Sequence, residues 1–373
     1  MKNNFFFIIL CANAVVTACT MAGTDKKTSA PVVDFTQNED TELPIEEQPD
    51  SNVFVVAMTG DIMMGTTYPA EALPANNGEA LFIDVKDILE RADIAAGNLE
   101  GTLCDTTNIT KKKKSEHSYC FRTPTEFAPR LKEAGYDFLS MANNHALDFG
   151  YDGVRSTEET LDRLGIKYAG LSGRTEYAII ERRGVKFGLC AFGHNSYTLK
   201  HHELWKAKQI LDTLNALTDI VIVSFHGGGE GKDFSKLPYG KEKFLNEDRG
   251  SLRHFAHFCI DHGADIVFGH GPHVVRCVEL YKDRFIAYSL GNFCTPYCIS
   301  ISGISGYAPV IEAKTDRKGK FISGQIYPFI QQRGKGPRRD TTNVVVSQIK
   351  RLTAEDIPDN RLDIDIKGKI TRR

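Results

Sequence analysis

The chain has 373 residues, 41% of them hydrophobic and 25% charged, enough apolar mass to bury the core of one large domain or two smaller ones. Its formal net charge of −2 lacks the basic excess that a nucleic-acid partner demands, so no nucleic acid is expected. The eleven histidines matter more for where they fall than for their number.

In chain order, the first element is not part of a fold. Lys2 supplies a positive start, "FFFIIL" opens an apolar core, and "VVTAC" closes it with small residues before Cys19. This is a secretory signal, too short for a comfortable membrane span. Its end resembles a bacterial lipobox, so residues 1–19 are read as signal peptide and lipidation site; cleavage near Ala18 or Ala22 is the alternative. Residues 20–52, rich in Asp, Glu, Thr and Pro, are too polar to pack and read as a disordered acidic linker. The expectation is an extracytoplasmic domain of the cell envelope, lipid-anchored to a membrane.

A domain is expected over 53–335, opening at "NVFVVAMTGD". Apolar runs of strand length recur, each followed at once by glycine and polar residues. "NVFVVAMT" leads into "GDIMMG", "ADIAAG" into "NLEGTL", and "YDFLSMA" into "NNHALDFG". "DIVIVSF" leads into "HGGGEG", "ADIVFG" into "HGPHVV", and "FIAYSL" into "GNF". Helical patterns lie between them at 81–91, 125–134, 154–164, 203–217 and 250–262, with Thr125 as a cap and Gly135 and Gly263 as stops. Alternating strands and helices predict an α/β domain with a largely parallel core. "AIIERRGVKFGLCAFG" predicts an added hairpin turning at Arg183-Gly184, and "YAPVIEAKTDRKGKFISGQIYPFI" a second. Residues 336–373 read as a basic, irregular C-terminal extension with some alternation at 343–349.

With Cys11 and Cys19 processed, seven of the nine cysteines remain, an odd number that argues against complete pairing. Cys104 and Cys120 bracket "TTNITKKKKSEHS" and could staple it, whereas Cys190 and Cys259 sit in apolar runs as buried thiols. No CxxC pair occurs, which argues against a zinc ribbon.

In parallel α/β sheets the carboxyl ends of the strands share one edge, and ligands bind there. The polar groups at the six strand ends are therefore expected to converge: Asp61; Asn98 and Glu100; Asn143, Asn144, His145 and Asp148; His226 and Glu230; His270 and His273; and Asn292. Alone, each reads as a turn or a solvated loop. Together, mixed carboxylate, imidazole and amide donors suit catalytic Mn, Zn or Fe, as one or two ions. In "GHGPH", Gly271 and Pro272 fix a tight bend between two imidazoles.

In this order, and over about 53–296, the motifs resemble the CapA family of poly-γ-glutamate capsule synthesis proteins, distant relatives of the calcineurin-like metallophosphoesterases. The resemblance implies a calcineurin-like four-layered α/β sandwich with metal at the strand ends. It implies Asp61, Asn144, His226, His270 and His273 as metal ligands and Glu100 as the carboxylate bridging two ions. It also implies His145 as the catalytic acid, which Asp148, three residues on, is placed to orient. Two departures stand out. Met63 replaces the usual first-motif histidine, so one ion loses an imidazole, and Gly227 replaces a tryptophan, leaving a looser wall.

The role implied is in making, exporting or anchoring poly-γ-glutamate or a related capsule polymer, and the chemistry expected is divalent-metal hydrolysis of a phosphoester, with an amide as the alternative. The expected partners are an anionic polymer or phosphoester substrate and a capsule synthesis complex. A non-catalytic subunit of such a complex and a general periplasmic metallophosphatase are the alternatives. The lysines at 111–114 read as a solvated loop, "HHE" at 201–203 as a helix start, His254 and His257 as helix surface, and "RGKGPRR" at 333–339 as a basic linker.

Overall fold

The first strand is buried on both faces. In β1 (Phe54–Ile62), Phe54, Val56 and Met58 enter one apolar cluster and Ala57 another, as the two-residue side-chain period of a strand requires. The computed structural model describes residues 52–108, 119–297 and 299–373. The expected signal peptide and nearly all of the expected linker lie outside the described residues.

Among the described residues, the chain builds its two large sheets in three passes. It starts the first with β1, β2 (Ile94–Leu99), β3 (Phe138–Ser140) and β4 (Lys167–Ala169). It then lays down the second with β5 (Tyr177–Arg182), β6 (Val185–Phe192), β7 (Ile220–His226), β8 (Ile266–His270), β9 (Val278–Tyr281) and β10 (Arg284–Ala287). It returns to the first with β11 (Asn292–Cys294), β12 (Val310–Thr315), β13 (Phe321–Tyr327), β14 (Leu362–Ile364) and β15 (Lys369–Arg372). The first sheet runs β14-β15-β13-β12-β1-β2-β3-β4, with β11 joining the end of β1, and the second runs β9-β10-β8-β7-β6-β5. Each has a parallel centre, β1 to β4 in one and β6, β7, β8 and β10 in the other, with antiparallel strands outside.

Three clusters define the layers. Between the sheets, Phe54, Val56 and Met58 meet Phe187, Leu189, Ile222 and Phe268, and the Phe54 and Phe187 rings stand edge to face at 5.9 Å. The outer face of the first sheet packs on α1 (Lys86–Glu90), α2 (Pro129–Glu133) and α3 (Gly150–Leu164) through Ile88, Leu131 and Leu161. The outer face of the second packs on α4 (Leu204–Leu217) and α5 (Leu252–Asp261) through Leu211, Phe255 and Cys259. The result is the expected four-layered α/β sandwich.

An aspartate just ahead of four parallel strands ties each to a neighbour. Asp93 accepts from the backbone N–H of Val55 at 2.8 Å, Asp137 from Ala95 at 3.0 Å, Asp219 from Lys186 at 2.8 Å, and Asp265 from Val221 at 2.8 Å. These donors sit where a parallel strand begins and would otherwise lack partners.

Both expected hairpins form, the first turning at Arg183 and Gly184 with positive φ. The helix expected at 125–134 breaks into a 3-10 turn at Thr125–Phe127 followed by α2. Residues 336–373 are not irregular. Val344–Asp356 is a helix, α6, burying Val345, Val346, Ile349 and Leu352, and β14 and β15 finish the first sheet. The alternation seen at 343–349 came from a β-branched run that a 3.6-residue period fits equally well. The suggested Cys104–Cys120 staple is not formed; Cys104 is a free buried thiol with its Sγ 3.3 Å from Thr102 Oγ1. Among the described residues no helix is long and apolar enough to cross a membrane.

Candidate metal centre

Register brings the polar groups together. Across the first sheet Asp61 lies beside Asn98 on one side and Asn292 on the other, and in the second His226 lies beside His270. The carboxyl ends of both parallel centres open on the same place. Gly60 is required for this: a Cβ there would stand 1.9 Å from Gly291 O, so only glycine lets β1 approach the segment that donates Asn292.

Asp61 is fully buried and faces two groups of donors. Its Oδ1 lies 3.6 Å from His270 Nδ1 and 4.0 Å from His226 Nδ1, and the two imidazole nitrogens are 3.0 Å apart. Its Oδ2 lies 3.2 Å from His273 Nδ1, and His273 Nε2 is 3.7 Å from Glu100 Oε1. Asp61, His226 and His270 form one set able to hold a cation, and Asp61, Glu100 and His273 a second. The carboxylate shared by the two sets is therefore Asp61; Glu100, expected to bridge, serves one set.

The donors fit a divalent ion. Bonds of about 2.0–2.1 Å place neighbouring ligands about 2.9–3.4 Å apart; the histidine pair already meets this, and the Asp61 oxygen is close to it. Both oxygens of Glu100 and Oδ1 of Asn144 are buried without a hydrogen-bond partner among the described residues, a costly arrangement for an isolated chain and a favourable one around a cation. Burial holds His226 well below the usual imidazole range, helped by the neighbouring His270, and lowers His270 to about 4 against the pull of Asp61. Both are therefore neutral and free to donate lone pairs. Burial, then the nearby Asp61, pushes the Glu100 carboxyl well up. Burial opposes charge on His273, but Glu100 and then Asp61 outweigh it and raise it to about 10.

Supporting contacts set these orientations. Asn98 Nδ2 donates to Asp61 Oδ1 at 2.8 Å, and Asn143 Nδ2 donates to Asn98 Oδ1 at 3.0 Å and to Leu99 O at 2.8 Å. Ser224 Oγ lies 2.8 Å from His270 Nε2, and Asn292 Oδ1 lies 2.8 Å from His273 Nδ1. His273 itself has φ 58°, a left-handed conformation rarely adopted by a side chain of this size. His145 is buried, with Nδ1 2.7 Å from Asp148 Oδ2, Nε2 3.9 Å from Glu100 Oε1, and its ring against Phe121 at 4.3 Å. The same Asp148 oxygen accepts from Phe121 N at 2.8 Å.

The profile of the bacterial capsule synthesis proteins, PGA_cap, matches residues 55–297. The chain belongs to that family. All the site residues from Asp61 to Asn292 fall within the matched span, whereas β12 to β15 lie beyond it. Two similar PGA_cap relatives are the PGA biosynthesis protein CapA of Bacillus subtilis, 28% identical over 68% of this chain, and the capsule biosynthesis protein CapA of Bacillus anthracis, 28% identical over 69%. The matches span 66% and 64% of those relatives' own lengths. Among solved structures, a 5'-nucleotidase precursor from Thermus thermophilus aligns over 82% of this chain and 59% of its own, with TM-score 0.45 and 12% identity.

The structure also places residues that the sequence did not single out. His194 follows β6, one of the two parallel strands whose ends were passed over, and its ring lies 6.1 Å from that of His226. "LCAFGHN" has the same form as the other strand ends and would have revealed it. His201, expected at an ordinary helix start, is buried beside His194, and burial lowers it to about 3. Arg249, on the hairpin of Glu242–Phe244 and Glu247–Gly250, reaches Glu230 Oε1 at 2.8 Å. That hairpin fills the wall expected to be loose: a Cβ on Gly227 would meet Arg249 O at 2.8 Å and His201 Nε2 at 3.0 Å. Met63 is buried and offers no imidazole.

Proposed function

We propose that Asp61, Glu100, Asn144, His226, His270 and His273 hold one or two divalent ions, Mn, Zn or Fe. The protein would act as a metal-dependent phosphoesterase-like hydrolase in the synthesis, export or anchoring of poly-γ-glutamate or a related capsule polymer. The observation that carries this reading is Asp61, whose two oxygens each face a separate set of donors. Family membership and the capsule and PGA biosynthesis roles for which the Bacillus relatives are named support the capsule setting. An envelope location follows from that setting, and a lipid anchor at Cys19 would supply the attachment.

An ion bound there supplies Lewis-acid polarisation of a phosphoryl oxygen and a water acidic enough to ionise near neutral pH. The chain's own residues do the rest. Asp148 takes the N–H of His145 Nδ1, which leaves Nε2 as the working nitrogen. In the doubly protonated ring, which the Asp148 carboxylate stabilises, His145 Nε2 also carries a proton and gives it to the leaving group, leaving the neutral Nδ1–H imidazole. Phe121 covers the ring and limits access of water. Asn98 and Asn143 hold Asp61 and the His145 loop in one frame.

Met63 favours keeping a second reading, a non-catalytic capsule-complex subunit that binds metal or polymer. One experiment separates the two: metal titration of the purified protein, then turnover of a phosphodiester and of poly-γ-glutamate with and without Mn or Zn. Hydrolysis that needs metal and falls about 10²–10⁴-fold in His145→Ala, at unchanged metal content, supports the enzyme. Metal binding with no turnover supports the subunit, and no metal binding sinks the enzyme.

A further inference from the structure

Beside the Asp61 cluster lies a second group of buried polar atoms that the proposed chemistry does not use. Arg249 is 3% exposed, and neither Nε nor Nη1 has a hydrogen-bond partner among the described residues. The side chain of His194 is 3% exposed, and both ring nitrogens are likewise without one. Natural folds rarely leave so many buried polar atoms without a hydrogen bond unless something outside the chain completes them.

One atom shows what that something is. Glu247 Oε2 lies 3.2 Å from Arg249 Nε and 3.5 Å from His194 Nε2, so a carboxylate oxygen already sits between the two cationic or donor groups. The Glu247 side chain is 46% exposed and belongs to the hairpin Glu242–Gly250, which turns at Leu245 and Asn246. It approaches from solvent, by the path an incoming anion would take. On the inner side, Arg249 is joined through Glu230 to His273, whose Nε2 is 4.0 Å from Glu230 Oε2, and the His194 ring flanks His226.

We propose that Arg249 and His194 form an oxyanion subsite next to the metal centre, for which the Glu247 carboxylate is the displaceable occupant. The subsite takes a phosphate or carboxylate on the substrate other than the group being attacked. A guanidinium edge with an adjacent imidazole is suited to such a planar or tetrahedral oxyanion. This deepens the reading above: it makes the substrate one with a second anionic group near the reacting bond, and it gives Glu247 a gating part.

The test is calorimetric titration of the whole protein with inorganic phosphate and, separately, with γ-glutamylglutamate, each with and without Mn. Whichever probe binds identifies the oxyanion. Loss of one charge-assisted contact is expected to weaken binding roughly 10- to 100-fold in Arg249→Met and about tenfold in His194→Ala. Glu247→Gln is expected to tighten it, because the competing charge is gone. If Arg249→Met does not fold, the opposed effects of His194→Ala and Glu247→Gln still decide. The subsite is overturned if neither probe binds the wild-type protein, or if His194→Ala and Glu247→Gln both bind like wild type. Mn binding, titrated on its own, reports the metal reading separately, since the titrations without metal address the subsite alone.

Discussion

At the scale of single residues, two histidines of the centre have opposite tasks, and their neighbours set the difference. His145 is held by one carboxylate, Asp148, at 2.7 Å. Replacing Asp148 by Asn keeps the shape but removes the charge that selects the tautomer. Turnover is expected to fall roughly 10- to 100-fold, as for other groups that orient a working imidazole, with metal content unchanged. A variant as active as wild type would remove Asp148 from the site. His273 instead sits among Asp61, Glu100 and Glu230 and is raised to about 10, so it carries a proton at neutral pH. A metal ion bound at Asp61, Glu100 and His273 must displace that proton. Apparent affinity is therefore expected to rise with pH through the neutral range, by about tenfold per pH unit for each proton displaced from His273 and from the raised Glu100 carboxyl. Titrations at pH 6, 7 and 8, in buffers of different ionisation enthalpy, check both the slope and the released proton.

At the scale of elements, much of the site was legible because parallel strands deliver it by one rule, an apolar run followed by glycine and a polar group. The rule singled out Asp61, Glu100, His226, His270 and His273, which stand close together in two donor sets, without any knowledge of sheet order. It could not say which carboxylate is shared, because that depends on how the two sheets face each other, and it is Asp61 rather than Glu100 that lies between them. Arg249 was invisible because it arrives on a hairpin whose place over the Gly227 loop is tertiary information. The strand-leading aspartates went unnoticed for the opposite reason, since "AD" and "TD" look like ordinary turn residues until the neighbouring N–H is in view. Their energetic part is measurable. Asp219→Ala leaves the exposed Lys186 N without its side-chain acceptor and is expected to cost about 0.5–1.5 kcal/mol in denaturant unfolding. Gly60→Ala should do more than that to the site. Its Cβ cannot coexist with Gly291 O, so β1 and β11 must part around Asp61 and metal affinity should drop.

For the molecule as a whole, the two packed sheets leave several imidazoles in a dry interior, and this makes the fold sensitive to acid. His201 is lowered to about 3 by burial, then by His194 and His202, and His270 to about 4 by burial. An unfolded chain protonates both near 6.5. A folded value below the unfolded one means that the unfolded chain binds more protons in the interval. The stabilisation is then complete above about 6.5 and lost as pH falls toward 4 and then 3. Each group is worth on the order of a few kcal/mol, against a total of about 5–15 kcal/mol for a typical domain. The metal-free protein is therefore expected to lose part of its stability as pH falls from about 6.5 toward 4, beginning before its carboxylates titrate in bulk. His201 is the better probe because it lies outside both donor sets of the metal centre. Thermal melts of wild type and His201→Asn across pH 8 to 4 should converge at the acid end, the variant starting lower and falling less steeply. Equal slopes for the two proteins would mean that acid acts elsewhere and that His201 carries no pH dependence of its own.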